Sequence, residues 1–251
     1  MPFEKEMEWR FIPKEKIDPY FAIALEEILL EEVSKTETPI LRFWEWEDEA
    51  VTIGRSQKAS NEVDLRLCRD ENIEVIRRPS GGGAMYHSPR DEIVYSVIAP
   101  KGLFPNDITL IYREICTKLA NIFDQIDIDA EFVEPNSIFV SDQKISGNAQ
   151  KITSNAVLQH GTILYSPDRK TMFSALKDSH TEDRYISSNM NSVMGISELA
   201  DISFDDLYHL LKSGVLEGKE HSTEEIQKEE LDSAKELVGK KYGKEGWNLT
   251  P

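Results

Sequence analysis

Three consecutive glycines stand out within IRRPSGGGAMYHS, residues 76–88. Each glycine costs backbone entropy, and a plain hairpin would need only one or two. Without side chains, residues 81–83 can bring backbone N–H groups close to a ligand and form an anion-binding nest. Arg77 and Arg78 add fixed positive charge beside this loop. The segment is typical of a phosphate or carboxylate site. From the spacing alone, a mobile glycine loop with two solvated arginines is an equally good interpretation.

Two further segments place polar residues beside apolar strands. Lys144 opens KISGNAQ at residues 144–150, and His160 opens HGTIL at residues 160–164. Each has an ordinary interpretation when taken singly. A strand lysine is normally a solvated surface residue, and a lone histidine is most often packed or capped. Neither segment decides a function by itself.

Four motifs, in their order and spacing, resemble the lipoate-protein ligase A family of the biotin/lipoate ligase superfamily. These motifs are IGRSQ (53–57), RRPSGGGAMYH (77–87), KISGNAQ (144–150) and HGTIL (160–164). The resemblance runs from about residue 25 to residue 165. GKKYGKEGWN, residues 239–248, also resembles the end of the short archaeal-type members, which lack the C-terminal accessory domain.

The resemblance implies a fold and a reaction. The fold would be α/β (α+β), a class II synthetase-like catalytic domain with a mixed β-sheet flanked by helices. Its tunnel would take lipoate, and ATP would lie over the glycine-rich loop, with Mg²⁺ as part of the substrate complex. The chain would then be a lipoate-protein ligase that converts lipoate to lipoyl-AMP. A lysine of a lipoyl domain (E2) or of a glycine-cleavage H protein would attack that mixed anhydride.

The resemblance also implies the site residues. Lys144 would be catalytic, because a compact cation between the carboxylate and the α-phosphate stabilises charge that grows in the transition state. The ATP and lipoyl-adenylate site would comprise Arg77, Arg78, Ser80, Gly81, Gly82, Gly83, Ala84, His87, Lys144, Gly147 and Asn148. The lipoate pocket would contain Arg55, Ser146, His160 and Gly161. For His87 and His160, a purely positioning role stays as open as direct catalysis.

One departure from the family pattern concerns the metal. The family usually has Asn-Asp where this chain has Asn136 and Ser137. Mg²⁺ prefers carboxylate and phosphate oxygens, and it can arrive on ATP with waters and few protein ligands. Mg²⁺ is therefore expected from the substrate chemistry alone, and the sequence identifies no metal ligand.

The nearest alternative is a lipoyl or octanoyl transferase on the same scaffold, which uses an acyl thioester donor and a cysteine nucleophile. Such a thiolate must be accessible and activated. The chain has two cysteines, Cys68 and Cys116, both on predicted helices, and no cysteine follows residues 144–150. A biotin ligase is disfavoured because no Gly-Arg-rich biotin loop is visible. A non-enzymatic carrier or pseudoenzyme is the third class, favoured only by Ser137.

Composition excludes some classes of binding partner and some cellular locations. The net charge of −17 argues against broad nucleic-acid binding, because phosphate backbones need a basic footprint. The N-terminal residues form no apolar signal region, and no stretch approaches the length of a membrane span. A cytoplasmic protein that neither enters a membrane nor binds nucleic acid is expected. Its short length for the family suggests a separately encoded accessory protein that supplies the missing C-terminal domain.

Alternating helices and strands must position these motifs. Helices are predicted from Asp18 to near Lys35, at 63–70, 107–123, 172–176, 204–211 and 223–241. Strands are predicted at 40–45, 50–53, 73–77, 92–99, 130–133, 137–140 and 157–165. The pattern changes after about residue 166. We expect a catalytic domain at residues 1–213 and a small helical appendage at residues 214–251.

Overall fold

The computed structural model describes residues 7–177 and 192–250. The strands of these residues are β1 (Trp9–Ile17), β2 (Ile40–Trp46), β3 (Ala50–Ile53), β4 (Glu74–Arg77), β5 (Met85–His87), β6 (Glu92–Pro100), β7 (Ala130–Val133), β8 (Ser137–Val140), β9 (Gln143–Ile152), β10 (Ala156–Leu164) and β11 (His221–Thr223). The α-helices are α1 (Pro19–Thr36), α2 (Ala59–Glu62), α3 (Leu65–Asp70), α4 (Ile108–Ile122), α5 (Arg169–Ala175), α6 (Phe204–Leu216), α7 (Lys228–Leu237) and α8 (Glu245–Asn248).

A large mixed sheet is the centre of the fold. Its eight strands run in the order β11-β1-β2-β6-β10-β9-β8-β7. Strand β1 is parallel to both β2 and β11, whereas the other neighbours are antiparallel. A second sheet has the order β4-β3-β5 and carries the glycine-rich loop between β4 and β5. The mixed sheet with flanking helices confirms the expected fold class.

Helices cover both faces of the large sheet, which explains why strands such as β10 are buried along their whole length. Helices α4 and α6 pack on one face, around Phe43 and Tyr95. Helix α1 packs on the other face, around Leu25 and Trp44. Asp18 caps α1 by accepting from the backbone N–H of Phe21, as the sequence predicts. None of the helices in the described residues has the length and hydrophobicity to cross a membrane.

The elements that the sequence predicted are present, and their ends shift by a few residues. Four strands were not predicted: β1, β5, β9 and β11. Strand β9 contains the KISGNAQ motif, and its mixture of polar and apolar residues hides the period of two that identifies a strand. Strand β11 has three residues, too few to show any period.

The C-terminal residues pack on the rest of the chain through both sheet and helix. Position 214, the expected start of a separate appendage, lies inside α6, which continues to Leu216. Strand β11 then joins the large sheet beside β1, and α7 packs against α1. Whether residues 214–251 fold as a separate unit stays a prediction.

A buried ion pair fastens α7 to β1. Arg10 is 4% exposed and donates to both carboxylate oxygens of Glu230, which is 5% exposed. Glu32 and Glu224 lie 3.6 and 3.3 Å from the same guanidinium group. Because a buried charge is costly without its partner, this pair determines how firmly α7 is attached.

We expect Glu230→Gln to lower the free energy of unfolding by about 3 kcal/mol, because it leaves the Arg10 charge buried with weaker partners. Urea denaturation followed by circular dichroism measures this loss. The matched control is Glu134→Gln, which breaks an ion pair with Arg113 whose side chains are more than half exposed. The control should cost less than about 0.5 kcal/mol. Equal losses from both substitutions would contradict the assignment.

Candidate active site

A cavity of about 290 Å³ lies between the large sheet and the glycine-rich loop of the small sheet. Its floor follows the residue pairing of the large sheet. Trp44 of β2 pairs with Val94 of β6, Val94 pairs with Thr162 of β10, and Thr162 pairs with Gly147 of β9. We call these four residues the floor row. With neighbouring strands 4.7–4.9 Å apart, the row spans about 14 Å.

The two ends of the floor row differ in chemistry. The Trp44 end is apolar, with Ile23 and Trp46 also lining the cavity. The Gly147 end carries the side chain of Lys144, whose Cε and Nζ each lie 3.1 Å from the position that a Cβ on Gly147 would occupy. A Cβ at position 147 would therefore push the end of the lysine side chain aside by a few tenths of an ångström. The cavity is suited to an elongated molecule with an apolar tail and an anionic or carbonyl head.

A β-bulge directs Lys144 into this cavity. In a regular strand Lys144 would share a face with Ser146 and Asn148, since side chains alternate with a period of two. Ser146 and Asn148 bond to each other on the α4 side of the sheet. The pairing of β9 with β8 shifts by one residue between Lys144 and Ser146, which turns Lys144 to the opposite face.

The ammonium group of Lys144 is poorly solvated. Burial lowers the pKa of Lys144 from 10.5 to about 8. Among residues 7–177 and 192–250, no carboxylate forms an ion pair with it. A cation held in a cavity with no ion-pair partner among these residues attracts an anion or a developing negative charge.

Arg78 is buried in the wall but has no donor left for a ligand. Its guanidinium donates to the Oγ of Ser80, to the carbonyl and Oγ1 of Thr52, and to the carbonyls of Gly81 and Gly83. These bonds use all five N–H groups of an arginine. Burial also lowers the pKa of Arg78 to about 10. The predicted direct contact between Arg78 and an anion is not supported, because the N–H groups of Arg78 are already hydrogen-bonded to the glycine loop and to Thr52.

Arg77 points away from the cavity. It donates to three carbonyl oxygens within residues 54–57 and to the carbonyls of Trp247 and Asn248. Its own backbone is held in turn, since the indole N–H of Trp247 donates to the Arg77 carbonyl. The predicted anion contact of Arg77 is likewise not supported. The residue joins the C-terminal segment to the base of the glycine loop.

The glycine loop is fitted closely to the IGRSQ segment. Gly82 has a φ of +87°, a left-handed conformation that side chains disfavour. A Cβ on Gly54 would overlap the carbonyl oxygen of Gly82. The glycines at 54 and 82 are therefore required by backbone packing, independently of any ligand.

Two buried histidines in the wall are each held at both ring nitrogens. His160 contacts Glu26 through Nδ1 and the Oγ of Ser80, at 2.7 Å, through Nε2. His87 contacts Glu92 through Nδ1 and the Oγ1 of Thr52, at 2.8 Å, through Nε2. These networks fix the two rings against the cavity, which agrees with the positioning role left open for both.

The structure brings ten predicted site residues to the cavity wall. They are Arg78, Gly82, Gly83, Ala84, His87, Lys144, Gly147, Asn148, His160 and Gly161. Ser80 lies buried behind the wall, and Gly81 is exposed on the loop. Arg55, Arg77 and Ser146 do not line the cavity. Arg55 is exposed, and the side chain of Ser146 lies on the α4 side of β9. The side chain of Asn148 lies on that side too, although the residue borders the cavity.

Several residues of the site escaped the sequence analysis. Trp44, Trp46 and Thr162 line the cavity, and Glu26 and Glu92 hold the two wall histidines from behind. Glu26 had a detectable signal: a carboxylate within the apolar stripe of α1, between Ala22 and Leu29, is unusual. The tryptophans looked like ordinary strand residues. Their role depends on which face of β2 meets the small sheet, and local sequence does not reveal that.

The cysteines lie away from the cavity. Cys116, on α4, contacts Gln159, whose side chain is on the face of β10 opposite to His160. Cys68 is buried in the core of the small sheet. Burial raises the pKa of Cys68 to about 11 and that of Cys116 to about 12. Both thiols are therefore neutral near pH 7 and poorly suited to nucleophilic catalysis.

Within the part of the chain that the structure describes, no three side chains of the His, Cys, Asp and Glu types group as a metal site. Asn136 lines the cavity and donates to the carbonyl of Asn148. Ser137 is 3% exposed and does not line the cavity. These residues provide no basis for assigning a Mg²⁺ ligand.

Residues 18–215 match the model of the lipoyl protein ligase A/B catalytic domain. The chain belongs to this family. The membership expected from the four motifs is thus confirmed, and the cavity described above is formed by residues inside the matched region.

Solved structures of this family share the fold. Protein Ta0514 of Thermoplasma acidophilum with bound lipoic acid has a TM-score of 0.85 at 26% identity, covering 98% of this chain and 100% of that one. A lipoate-protein ligase A bound with ATP has a TM-score of 0.85 at 27% identity, covering 97% and 99%. A bipartite lipoate protein ligase from Thermoplasma acidophilum, studied with its E2 lipoyl domain, has a TM-score of 0.86 at 27% identity, covering 97% and 96%.

Curated relatives correct the expected reaction. Octanoyltransferase LipM of Anoxybacillus flavithermus is 29% identical over 98% of this chain and 99% of its own length. LipM of Bacillus subtilis is 27% identical over 96% and 97%. These relatives contradict the expected ATP-dependent lipoate-protein ligase and support the transferase alternative. The chain is an enzyme of the lipoate ligase and octanoyltransferase family.

Octanoate is a simple probe of the cavity, since it combines a carboxylate with an apolar chain. We expect its dissociation constant to rise about tenfold between pH 7 and pH 9, because Lys144 loses its proton as the pH passes its pKa of about 8. Isothermal titration calorimetry measures this change.

The charge-retaining control is Lys144→Arg, whose guanidinium stays protonated over this range. Its octanoate affinity should vary little with pH, and Lys144→Met should bind weakly at both pH values. Wild-type affinity that is independent of pH would show that Lys144 does not contact the carboxylate.

Proposed function

We propose that the chain transfers a medium-length acyl group, octanoyl or lipoyl, from a thioester donor to a lysine amine of an acceptor protein. The observation that carries this proposal is the floor row, which is apolar at Trp44 and Val94 and ends at a partly buried ammonium group. The octanoyltransferase relatives support the reaction class. Ta0514 with bound lipoic acid supports an acyl chain of this kind.

In the proposed complex the acyl chain lies along the floor row, with its tail against Trp44 and its carbonyl at Lys144. The acceptor amine attacks the carbonyl carbon, and negative charge forms on the carbonyl oxygen beside the ammonium group. Collapse breaks the carbon–sulfur bond. The departing thiolate takes the proton that the attacking amine loses, so the products are an amide and a free thiol. Lys144 keeps its proton throughout and acts by stabilising charge.

We further propose that the acyl group passes directly from donor to acceptor. Both cysteines are buried away from the cavity, and burial raises the pKa of each thiol. A cysteine acyl-enzyme would require one of them to reach the floor row. Direct transfer instead needs donor and acceptor to be bound together, which gives sequential kinetics rather than the ping-pong kinetics of a covalent intermediate.

The proposed acceptor is a lipoyl domain, as in the E2 lipoyl domain studied with the Thermoplasma acidophilum ligase. A glycine-cleavage H protein is the second proposed acceptor. The sequence also led us to expect an accessory protein and a requirement for MgATP. The bipartite and the ATP-bound neighbours are both named as ligases. The assay is therefore run with and without each of these two components.

The assay incubates the purified chain with octanoyl-acyl carrier protein and a lipoyl domain, and mass spectrometry follows octanoylation of the domain. We expect transfer without ATP, and at least a 100-fold loss of the rate in Lys144→Ala, a loss typical when an oxyanion partner is removed. The double variant Cys68→Ala and Cys116→Ala should retain transfer with sequential kinetics.

Two outcomes would reject parts of this proposal. Transfer from free octanoate plus ATP, with none from the thioester, would reject the thioester donor. Ping-pong kinetics, or loss of transfer in the double cysteine variant that stays folded by circular dichroism, would reject direct transfer. Activity that appears only after a second protein is added would identify the accessory partner.

A further inference from the structure

The hydroxyl of Thr162 is the one side-chain group of the floor row that can donate a hydrogen bond near Lys144. Its Oγ1 is buried and has no hydrogen-bond partner among the residues that the structure describes. An unsatisfied buried hydroxyl costs about 1–3 kcal/mol. Valine has nearly the same shape and would avoid that cost, so a hydroxyl at this position suggests a partner that comes with the substrate.

The position of Thr162 suits a group that acts together with Lys144. Thr162 lies directly opposite Gly147 in the pairing of β10 with β9, and Cβ positions of opposed residues are about 4.5–5.5 Å apart. The Nζ of Lys144 lies 3.1 Å from the Cβ position of Gly147. The ammonium group and the hydroxyl therefore flank the same part of the cavity, beside Gly147, and a substrate oxygen bound there has both donors on its border.

We propose that Thr162 is a second catalytic residue, whose hydroxyl donates a hydrogen bond to the acyl carbonyl oxygen while the ammonium group of Lys144 supplies charge. This inference rests on the proposed acyl transfer. The bond strengthens as the oxygen becomes negative in the tetrahedral intermediate, so it accelerates transfer more than it strengthens substrate binding. No proton leaves Thr162, and no bond to it forms or breaks.

The adjacent polar groups do not compete for this role. The hydroxyl of Ser80 already contacts His160 and Arg78, and that of Thr52 contacts His87 and Arg78. Thr162 alone among these three hydroxyls is left without a partner in the described part of the chain. An additional donor is therefore available at Thr162 without breaking a wall contact.

The test is Thr162→Val, which removes the hydroxyl at nearly constant volume. In the octanoyl-acyl carrier protein assay we expect kcat to fall about 100-fold, the size of losses seen when one oxyanion donor is removed. KM and the octanoate dissociation constant should change by less than about threefold, because the bond matters mostly in the transition state. Thr162→Ser should restore most of kcat.

The matched control is Thr153→Val, at the turn between β9 and β10, where the lost hydroxyl bonds to Ala156. This variant should lose some thermal stability and keep kcat. A second measurement is the infrared carbonyl frequency of bound octanoyl-pantetheine. The frequency should rise in Thr162→Val, since the carbonyl loses a hydrogen bond.

The outcomes separate this inference from the proposed function. A wild-type chain that transfers no acyl group from a thioester rejects the proposed function. A wild-type chain that transfers, with unchanged kcat and carbonyl frequency in a folded Thr162→Val variant, rejects the role of Thr162 alone. A fall in kcat that Thr162→Ser does not restore also rejects it, because the methyl group rather than the hydroxyl would then be needed.

Discussion

A partly buried ammonium group without a carboxylate partner in the described residues is the constraint on which the site depends. Lowering the pKa of Lys144 from 10.5 to about 8 corresponds to about 3 kcal/mol for keeping the charge in the cavity. A chain selected for stability alone would pair this lysine or expose it. Here the bulge in β9 turns the lysine into the cavity. Gly147 has no side chain and leaves room for the lysine there. Negative charge on a bound substrate stabilises the ammonium group and offsets this free-energy cost.

The two arginines beside the triple glycine illustrate a different use of charge. In the sequence they looked like ligands for an anion, because cationic side chains and free backbone N–H groups commonly occur together at such sites. In the fold Arg78 saturates its donors on the loop, and Arg77 binds carbonyls of the IGRSQ segment and of the C-terminal helix α8. Rigid placement of the loop thus requires two arginines, and the basic side chains that line the cavity with charge available to a substrate are lysines, Lys144 at the end of the floor row and Lys177.

The sequence predicted the helices and most of the strands because their apolar periods are regular, as in α1 and α4. It also predicted Lys144 and His160, because each belongs to a recognisable motif. Several of its failures depend on the face of a strand. Ser146 was expected in the pocket but lies on the far side of β9, since the bulge reverses the alternation beside it. Thr162 and Trp44 were missed because only the pairing of four strands shows that they form one row.

One fold can support more than one reaction. In this family the reaction depends on which chemical groups reach the cavity. Ligases and octanoyltransferases match this chain over nearly its full length, so the shared scaffold cannot distinguish activation by a nucleotide from transfer out of a thioester. Both chemistries place negative charge on an acyl oxygen, and a cation at position 144 beside a free hydroxyl at position 162 serves that common feature. What distinguishes them is the leaving group: a phosphate needs cationic partners beyond the acyl oxygen, whereas a thiolate leaves with a proton from the amine. All five N–H groups of Arg78 are bonded within the wall, and Arg77 points away from the cavity, so neither arginine of the glycine loop is placed to be such a partner.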